Sequence, residues 1–236
     1  EACVPLALLL IAESRAAPDR ERGMTLLTEA ADRGDAAAQY HLALRLEAAN
    51  PPEFLRALHY FHEAADQEHS DAMFKLATIL YQGTELDRAY PEQAALLYRR
   101  LAEVHAHGYA AQMLGVMHAQ GNGVPRDMAR AQELFELAGR RGRDDALLNL
   151  ALLRAAPSEH TDMVEAAKWA LLFDDRVSSE ESRELLRTLS GLLSDAQLTD
   201  AEQRAGVWRA SAQSIAAGTS ASSRELGDKR GVRTAA

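Results

Sequence analysis

Two short stretches contain residue types that carry out phosphate or metal chemistry. The first is "GNGVPRD" at 121–127, which precedes a stretch of helical character. A phosphate-binding loop has more glycines in a fixed pattern and is usually followed by Lys-Ser or Lys-Thr, which are missing here. A helix-ending Gly121 or Gly123, the loop residue Pro125 and a helix-capping Asp127 explain the stretch better. We therefore interpret it as a turn between two helices.

The second stretch is "HYFHE" at 59–63, where His59 and Glu63 are one helical turn apart and so have a spacing that can hold a metal ion. The stretch lacks the His-Glu-x-x-His arrangement of zinc proteases, and cysteine partners are absent. We predict instead that His59 and His62 face solvent on a helix whose other side is apolar. In "HAHG" at 105–108 we expect histidines at the end of a helix, where a protonated imidazole suits the negative end of the helix dipole.

No other group of residues has the pattern of an active site. The chain lacks a Gly-x-Ser-x-Gly nucleophile elbow, its serines cluster in 178–182 and 211–223, and its acidic residues are spread over helix faces. We predict that the protein is not an enzyme, that it has no catalytic or metal site, and that it uses no cofactor.

The composition indicates a helical protein of one large domain or two small ones. Of the 236 residues 47% are hydrophobic, but only 6% are aromatic, so the core must consist largely of Leu, Ala and Met. The formal net charge of -9 argues against a nucleic-acid partner, because nucleic-acid binding needs clustered positive charge. The single cysteine, Cys3, excludes an internal disulfide.

The first residues, "EACVPLALLLIAES", resemble the apolar part of a signal segment without its basic part. Because the chain does not begin with Met, we expect it to start inside a longer gene product. No other stretch is apolar for long enough to suggest a transmembrane segment.

A pattern of 34 to 38 residues repeats along the chain. Each copy has an alanine, a leucine four residues later and then a small residue. The alanines are Ala2, Ala38, Ala72, Ala110 and Ala146, and the leucines are Leu6, Leu42, Leu76, Leu114 and Leu150. A second helical stretch follows, with bulky residues in its middle and an alanine three or four residues later. These intervals place apolar and small residues on one helix face, so the predicted unit is a helical hairpin.

One copy, residues 110–142, contains nearly the whole pattern of the Sel1-like repeat family, relatives of the tetratricopeptide repeats. The matching residues are Ala110, Leu114, Gly115, Gly121, Gly123, Val124, Asp127, Ala131, Phe135, Ala138 and Gly142. The chain resembles this family over about residues 2–193, although "AANPPEF" and "YQGTELDRAY" replace the loop in two copies. The resemblance implies an all-α fold, a right-handed α-solenoid of about five Sel1-like hairpins over 1–177.

Beyond these hairpins the pattern predicts two amphipathic helices that cap the solenoid over 178–216. Ser178 or Ser179 is a suitable N-cap for the first helix, and Thr199 with Glu202 forms a capping box for the second. We expect Trp208 to anchor the cap on the last repeat. The small, polar and basic residues 217–236 predict a disordered tail.

The resemblance to tetratricopeptide-like folds implies that the first helix of each hairpin lines a concave groove. Residues beside the buried leucines then point into the groove and are candidates for partner binding. They are Tyr40, His41, Arg45, Phe74, Lys75, Tyr81, Gln112, Met113, His118 and Asn149. Aromatic residues, Met and Arg are enriched at protein interfaces. The alternative is that some of them, especially Phe74 and Met113, pack against the neighbouring helix.

We predict a non-enzymatic module that holds a partner protein or peptide in this groove. Family resemblance suggests a bacterial envelope adaptor, or an inhibitor or immunity partner of a secreted toxin or effector, located in the periplasm or cell envelope. A partner with a basic surface would suit the net charge. The alternatives are a hydrolase acting on a β-lactam or peptidoglycan-type substrate, a cytoplasmic location, and pairing of the C-terminal helix and tail between two copies. The sequence leaves the oligomeric state open.

Overall fold

The computed structural model describes residues 3–13, 16–49, 51–83, 89–157 and 162–231; for residues 3, 13 and 214–231 it describes the backbone alone. These residues form twelve α-helices and contain no strand. The chain divides into two compact units, residues 1–131 and 132–236, and each is described by itself.

The first unit is a stack of helical hairpins. Its helices are α1 (Cys3–Glu13), α2 (Ala17–Asp32), α3 (Ala36–Glu47), α4 (Phe54–Asp66), α5 (Ser70–Gln82), α6 (Pro91–Glu103) and α7 (Gly108–Gln120). Helices α1 and α2, α3 and α4, and α5 and α6 pack as hairpins, while α2 with α3, α4 with α5 and α6 with α7 join each hairpin to the next. Helix α8 (Met128–Arg140) begins in this unit and continues into the second.

The repeated residues form the core, as the pattern predicts. The buried alanines and leucines of the first helices are Ala38, Leu42, Ala72, Leu76, Ala110, Leu114, Ala146 and Leu150. The buried bulky residues of the second helices are Leu27, Phe61, Tyr98, Leu134, Phe135 and Trp169. The small alanines between them let the helix backbones approach closely, so the repeat can be packed with few aromatic residues.

The first copy departs from this pattern at Leu6. Its side chain is 47% exposed, whereas Val4 and Ala7 are buried. In the described chain α1 packs chiefly against α2, so its outer face lacks the second helix contact that covers Leu42 in α3. The prediction that Leu6 takes a core position is therefore wrong.

Histidines cap two of the repeat helices. Nδ1 of His69 accepts a hydrogen bond from the backbone N–H of Ala72 at 3.4 Å, and Nδ1 of His107 accepts one from Ala110 at 3.1 Å. A nitrogen that accepts must be unprotonated, and a helix N-terminus disfavours positive charge. The expectation that the "HAHG" histidines stabilise the C-terminal end of a helix as cations is thus wrong for His107, which caps the N-terminus of α7.

The loop at 121–127 is a turn between helices, as predicted. Gly121 ends α7 in the left-handed conformation, and the carboxylate of Asp127 accepts a hydrogen bond from the backbone N–H of Arg130 at 2.9 Å. Gly123 also has a positive φ of 72°, and it lies directly against the backbone of Pro91 at the start of α6. The glycines therefore permit both the turn and its close approach to the preceding hairpin.

The second unit contains the rest of α8, a hairpin of α9 (Asp144–Ala155) and α10 (Met163–Val177), and then α11 (Glu180–Ser190) and α12 (Asp195–Gly231). Both α11 and α12 pack on α10. Trp208 lies edge-on to Trp169 of α10, with ring centroids 5.6 Å apart and planes at 81°. Trp208 thus anchors the last helix on the final hairpin, as predicted.

The ends of the cap helices differ in part from the prediction. The hydroxyl of Ser179 caps α11 by accepting from the N–H of Ser182 at 3.1 Å. Helix α12 begins before Thr199, because Ser194 and Gln197 form the capping box: the Ser194 N–H donates to Gln197 Oε1 at 2.9 Å. Thr199 therefore lies inside the helix, where its hydroxyl donates to the carbonyl of Asp195.

The backbone of α12 stays helical to Gly231, beyond the expected end at 216. No proline interrupts 217–231, so every residue of this stretch has the backbone N–H that a helix needs. Residues 232–236 of the predicted tail lie outside the described residues. Within the described part of the chain, no helix combines the length and apolar character needed to cross a bilayer.

Candidate functional site

The first helices of three consecutive hairpins contact one another through side chains on one surface of the first unit. Lys75 Nζ of α5 lies 2.9 Å from a carboxylate oxygen of Glu47 of α3. Tyr109 of α7 lies edge-on to Phe74 of α5, with ring centroids 5.2 Å apart. We name this the A-helix surface and define it by Tyr40, His41, Arg45, Glu47, Asp71, Phe74, Lys75, Tyr81, Tyr109 and Met113, all partly or fully exposed.

Tyr40 is held on this surface by other rings. It stacks on His69, with centroids 5.0 Å apart and planes at 28°, and it lies tilted against His41 and Phe61. Because His69 also caps α5, the phenol on the first helix of one hairpin is fixed by the N-cap residue of the next hairpin. Part of the ring remains accessible.

Phe74 has the same arrangement one repeat later. It stacks on His107, with centroids 4.9 Å apart and planes at 23°, and His107 caps α7. Tyr98 and Tyr109 complete its surroundings. Phe74 therefore packs against a neighbouring helix, as the alternative from the sequence proposed, and it also remains partly exposed.

The charges around Tyr40 shift the protonation of two groups. Burial raises the pKa of Tyr40 above its ordinary value, and the nearby carboxylates of Asp71 and Glu47 raise it further. Burial lowers the pKa of His41, and repulsion from His69 and Arg45 lowers it further. At neutral pH the surface therefore presents a neutral phenol and a neutral imidazole beside the exposed guanidinium of Arg45.

The other predicted groove residues do not all lie on the A-helix surface. Gln112 is 9% exposed, so its side chain lies on the buried side of α7 and leaves almost no surface for a partner to contact. The Tyr81 hydroxyl donates to Gln120 Oε1 at 3.3 Å, and His118 Nδ1 lies 3.2 Å from the carbonyl of Pro125. These contacts place His118 at the loop rather than on the A-helix surface.

Met113 and Asn149 are both half-buried. Met113 lies on α7 in the first unit. Asn149 lies on α9 in the second unit and is not part of the A-helix surface as defined.

Five residues that contribute to the site escaped the sequence reasoning: Glu47, Asp71 and Tyr109 of the A-helix surface, and His69 and His107, on which its rings stack. A signal for the histidines was present, since each precedes its repeat alanine by three residues, while Tyr40 and Phe74 follow theirs by two. Only the stacking of consecutive hairpins brings these two repeat positions together.

The histidine candidates for metal chemistry lie elsewhere. His59 and His62 are exposed on α4, as predicted, and His59 Nε2 is 3.8 Å from a carboxylate oxygen of Glu63. Among the described residues, no group of three or more His, Cys, Asp or Glu side chains is placed to hold a metal ion. His160 lies outside the described residues.

Helical hairpins that pack in chain order define an α-solenoid, the class to which this all-α fold belongs. The Sel1 repeat model matches residues 13–35, 36–69, 70–103 and 108–142, more than half of the chain, so the protein belongs to the Sel1 repeat family. The hairpin of α9 and α10 lies beyond these four matches. Sel1 repeats are protein-interaction modules, and this fold is typical of non-enzymatic scaffolds.

A solved structure agrees with this fold. A Sel1 repeat protein from Oxalobacter formigenes is 21% identical, with a TM-score of 0.64, over 90% of this chain and 86% of that one. The protein c5321, a protective antigen in uropathogenic Escherichia coli with an SLR fold, is 23% identical, with a TM-score of 0.48, over 87% of this chain and 52% of its own. No curated protein matches the chain.

Proposed function

We propose that the A-helix surface binds a segment of another protein. The observation that carries this is the fixing of Tyr40 and Phe74, which stack on the capping imidazoles His69 and His107 yet stay partly accessible. Aromatic side chains supply much of the binding energy at interfaces. A ring that is already held in place loses little conformational entropy when a partner covers it.

The charges on this surface suit a partner contact that is mainly aromatic and apolar. Lys75 and Glu47 neutralise each other, and the exposed Arg45 and Asp71 are of opposite sign. Local charge therefore sets the orientation of the partner more than its affinity. At longer range the net charge of -9 favours a partner with a basic surface.

The biological role that fits this binding is that of a bacterial adaptor, or of an inhibitor or immunity partner of a secreted effector. The cell envelope or periplasm is the location we propose. The support is the family membership alone, because the apolar first residues of the chain belong to α1 and pack on α2. Fractionation of the native organism after expression of a C-terminally tagged full-length gene tests the location, and recovery only with cytoplasmic markers would contradict it.

Affinity capture from the native lysate, followed by mass spectrometry and by calorimetry with the purified partner, tests the binding surface. The test variant carries Arg45→Ala, Tyr109→Ala and Met113→Ala, which leave the Tyr40 and Phe74 stacks intact. The control carries Leu55→Ala and Leu96→Ala, two exposed apolar residues on second helices. We expect the control to bind like wild type and the test variant to lose at least tenfold in affinity, the effect of about 1.4 kcal/mol. Equal binding by both variants would remove the A-helix surface as the site.

A further inference from the structure

A small apolar pocket lies in the second unit, where α10, α11 and α12 meet. Leu171 of α10, Leu186 and Leu189 of α11, and Leu198 of α12 line it, and its volume is about 180 Å³. Leu189 is buried, whereas the other three leucines remain half-buried. The pocket therefore offers accessible apolar surface in the cap that ends the solenoid.

One carboxylate belongs to this pocket. Glu202 follows Leu198 by one helical turn of α12, so both side chains lie on the same helix face. Glu202 is exposed, and within the described part of the chain its carboxylate forms no hydrogen bond or ion pair. The hydroxyl of Ser190, which also lines the pocket, is already used, since it donates to the carbonyl of Leu186 at 2.7 Å.

The size of the pocket decides what kind of group fits. Pockets for independent small molecules have volumes of about 300 to 1,000 Å³, so this pocket is too small for most of them. An apolar cavity of about 150 Å³ accommodates a benzene ring, so one aromatic side chain fits here. Interface anchors are commonly single aromatic side chains in such pockets.

We propose that this pocket receives an aromatic side chain of a partner protein, next to a Lys or Arg that pairs with Glu202. The aromatic ring removes the exposed leucine surface from water, and the adjacent cation meets an otherwise uncompensated carboxylate. The overall negative charge of the chain favours the same basic segment. This contact is separate from the A-helix surface and does not depend on that surface being a binding site.

The probe is the peptide acetyl-Phe-Lys-amide, titrated into the full chain with isotope-labelled leucine methyl groups observed by NMR. We expect saturable shifts confined to the leucines around the pocket. Acetyl-Phe-Glu-amide and acetyl-Ala-Lys-amide are the matched peptides, each lacking one of the two required features, and both should bind more weakly. Shifts spread over leucines of both units, or equal binding of all three peptides, would overturn the proposal.

Two variants separate the charge from the pocket. Glu202→Gln should weaken acetyl-Phe-Lys-amide by up to about fivefold, the range for one exposed ion pair, and leave acetyl-Phe-Glu-amide no weaker than before. Glu181→Gln is the control, because Glu181 is an exposed carboxylate on α11 that does not line the pocket. An equal effect of both variants would overturn the assigned role of Glu202.

Filling the pocket tests the apolar half of the proposal. Leu198→Trp should abolish the methyl shifts, and an unchanged thermal unfolding midpoint would show that the cap still folds. If Leu198→Trp unfolds the cap, the peptide comparison on wild type decides the question alone. Shifts of the same methyl groups with rising protein concentration and no peptide would assign the pocket to a second copy of the chain and overturn the proposal.

Discussion

The ring of Tyr40 stacks on the imidazole of His69, and the same imidazole accepts the hydrogen bond that caps α5. One side chain thus caps its own helix and also contacts the preceding hairpin. Phe74 and His107 repeat the relationship in the next hairpin. Each capping histidine therefore couples helix formation to the packing of consecutive hairpins.

Loss of a capping histidine should be costly. His107→Ala removes the acceptor for Ala110 and the stack on Phe74, so we expect the free energy of unfolding to fall by about 1 to 3 kcal/mol. His107→Asn restores an acceptor at the cap but not the ring stack, and should recover part of the loss. Urea unfolding measures both, with the exposed His59→Ala as the control. An equally large loss of unfolding free energy in His59→Ala would contradict the capping and stacking role of His107.

Stability should fall on mild acidification because of His41. Its pKa is lowered in the folded protein, so the unfolded chain takes up a proton first. The free energy of unfolding is therefore unaffected by His41 above the ordinary histidine pKa. It decreases as the pH falls from that value to the lower pKa of the folded state, and below the folded pKa it decreases no further on account of His41. Urea unfolding between about pH 8 and pH 5 measures the slope.

His41→Asn should reduce that pH dependence, and Arg45→Gln should raise the pKa of His41, since Arg45 is one of the groups that lower it. NMR titration of the His41 ring gives the pKa directly. An unchanged pKa in Arg45→Gln would show that the two side chains do not interact.

Tyr98 should resist ionisation. Burial raises its pKa from 10.0 to about 12, against a smaller opposing effect of the hydrogen bond with Thr78. The folded state therefore holds this proton after the unfolded chain has lost it, and stability is lost as the pH rises from 10 toward 12. Ultraviolet titration should show a late-titrating tyrosine that is missing in Tyr98→Phe. A complete titration near the ordinary value in the folded protein would contradict the burial.

Gly123→Ala should destabilise the protein by more than its backbone angle alone requires. A Cβ at this position would meet the backbone of Pro91 and would lie 2.8 Å from the nitrogen of Glu92. Gly142 is the matched control, because its φ is +83° but a Cβ added there would have no atom within 4 Å. Gly142→Ala should cost about 1 to 2 kcal/mol for the left-handed conformation, and Gly123→Ala clearly more. Equal unfolding free energies would show that the close approach contributes nothing.

Trp208→Ala should loosen the cap. The substitution removes the edge-on contact with Trp169 and the guanidinium contacts of Arg140 and Arg176, whose centres lie 5.8 and 5.4 Å from the ring. We expect a loss of about 3 to 5 kcal/mol, typical of a buried tryptophan. Thermal unfolding followed by the fluorescence of Trp169 measures it. The neighbouring Val207 is 72% exposed, so Val207→Ala is the control that should change little.

Much of the fold could be predicted because the repeat is a local pattern. An alanine, a leucine four residues later and a bulky residue in the next helix define the buried faces of a hairpin without reference to the rest of the chain. The loop ending in Asp127 could be predicted for the same reason, since glycine and aspartate have strong local preferences. The capping box at Thr199 was wrong because Ser194 and Gln197 offer the same motif five residues earlier.

The candidate site was predictable only in outline. Tyr40, Phe74 and Lys75 were found from their place beside the buried leucines, but the same reasoning selected Gln112, which is buried. Adjacent positions on a helix differ by about 100° in direction, so a small rotation of the helix separates surface from core. The orientation of a helix depends on its neighbours, which a repeat pattern does not specify.

By itself, the sequence determined the helical hairpins, their period and the residues of their core, because these follow from the spacing of small and bulky apolar side chains. The tertiary structure alone decided that His69 and His107 stack on rings of the preceding hairpin. It also decided that Leu171, Leu186 and Leu198 enclose a pocket beside Glu202. These contacts join residues that are distant in sequence, and their geometry is fixed only when the helices pack.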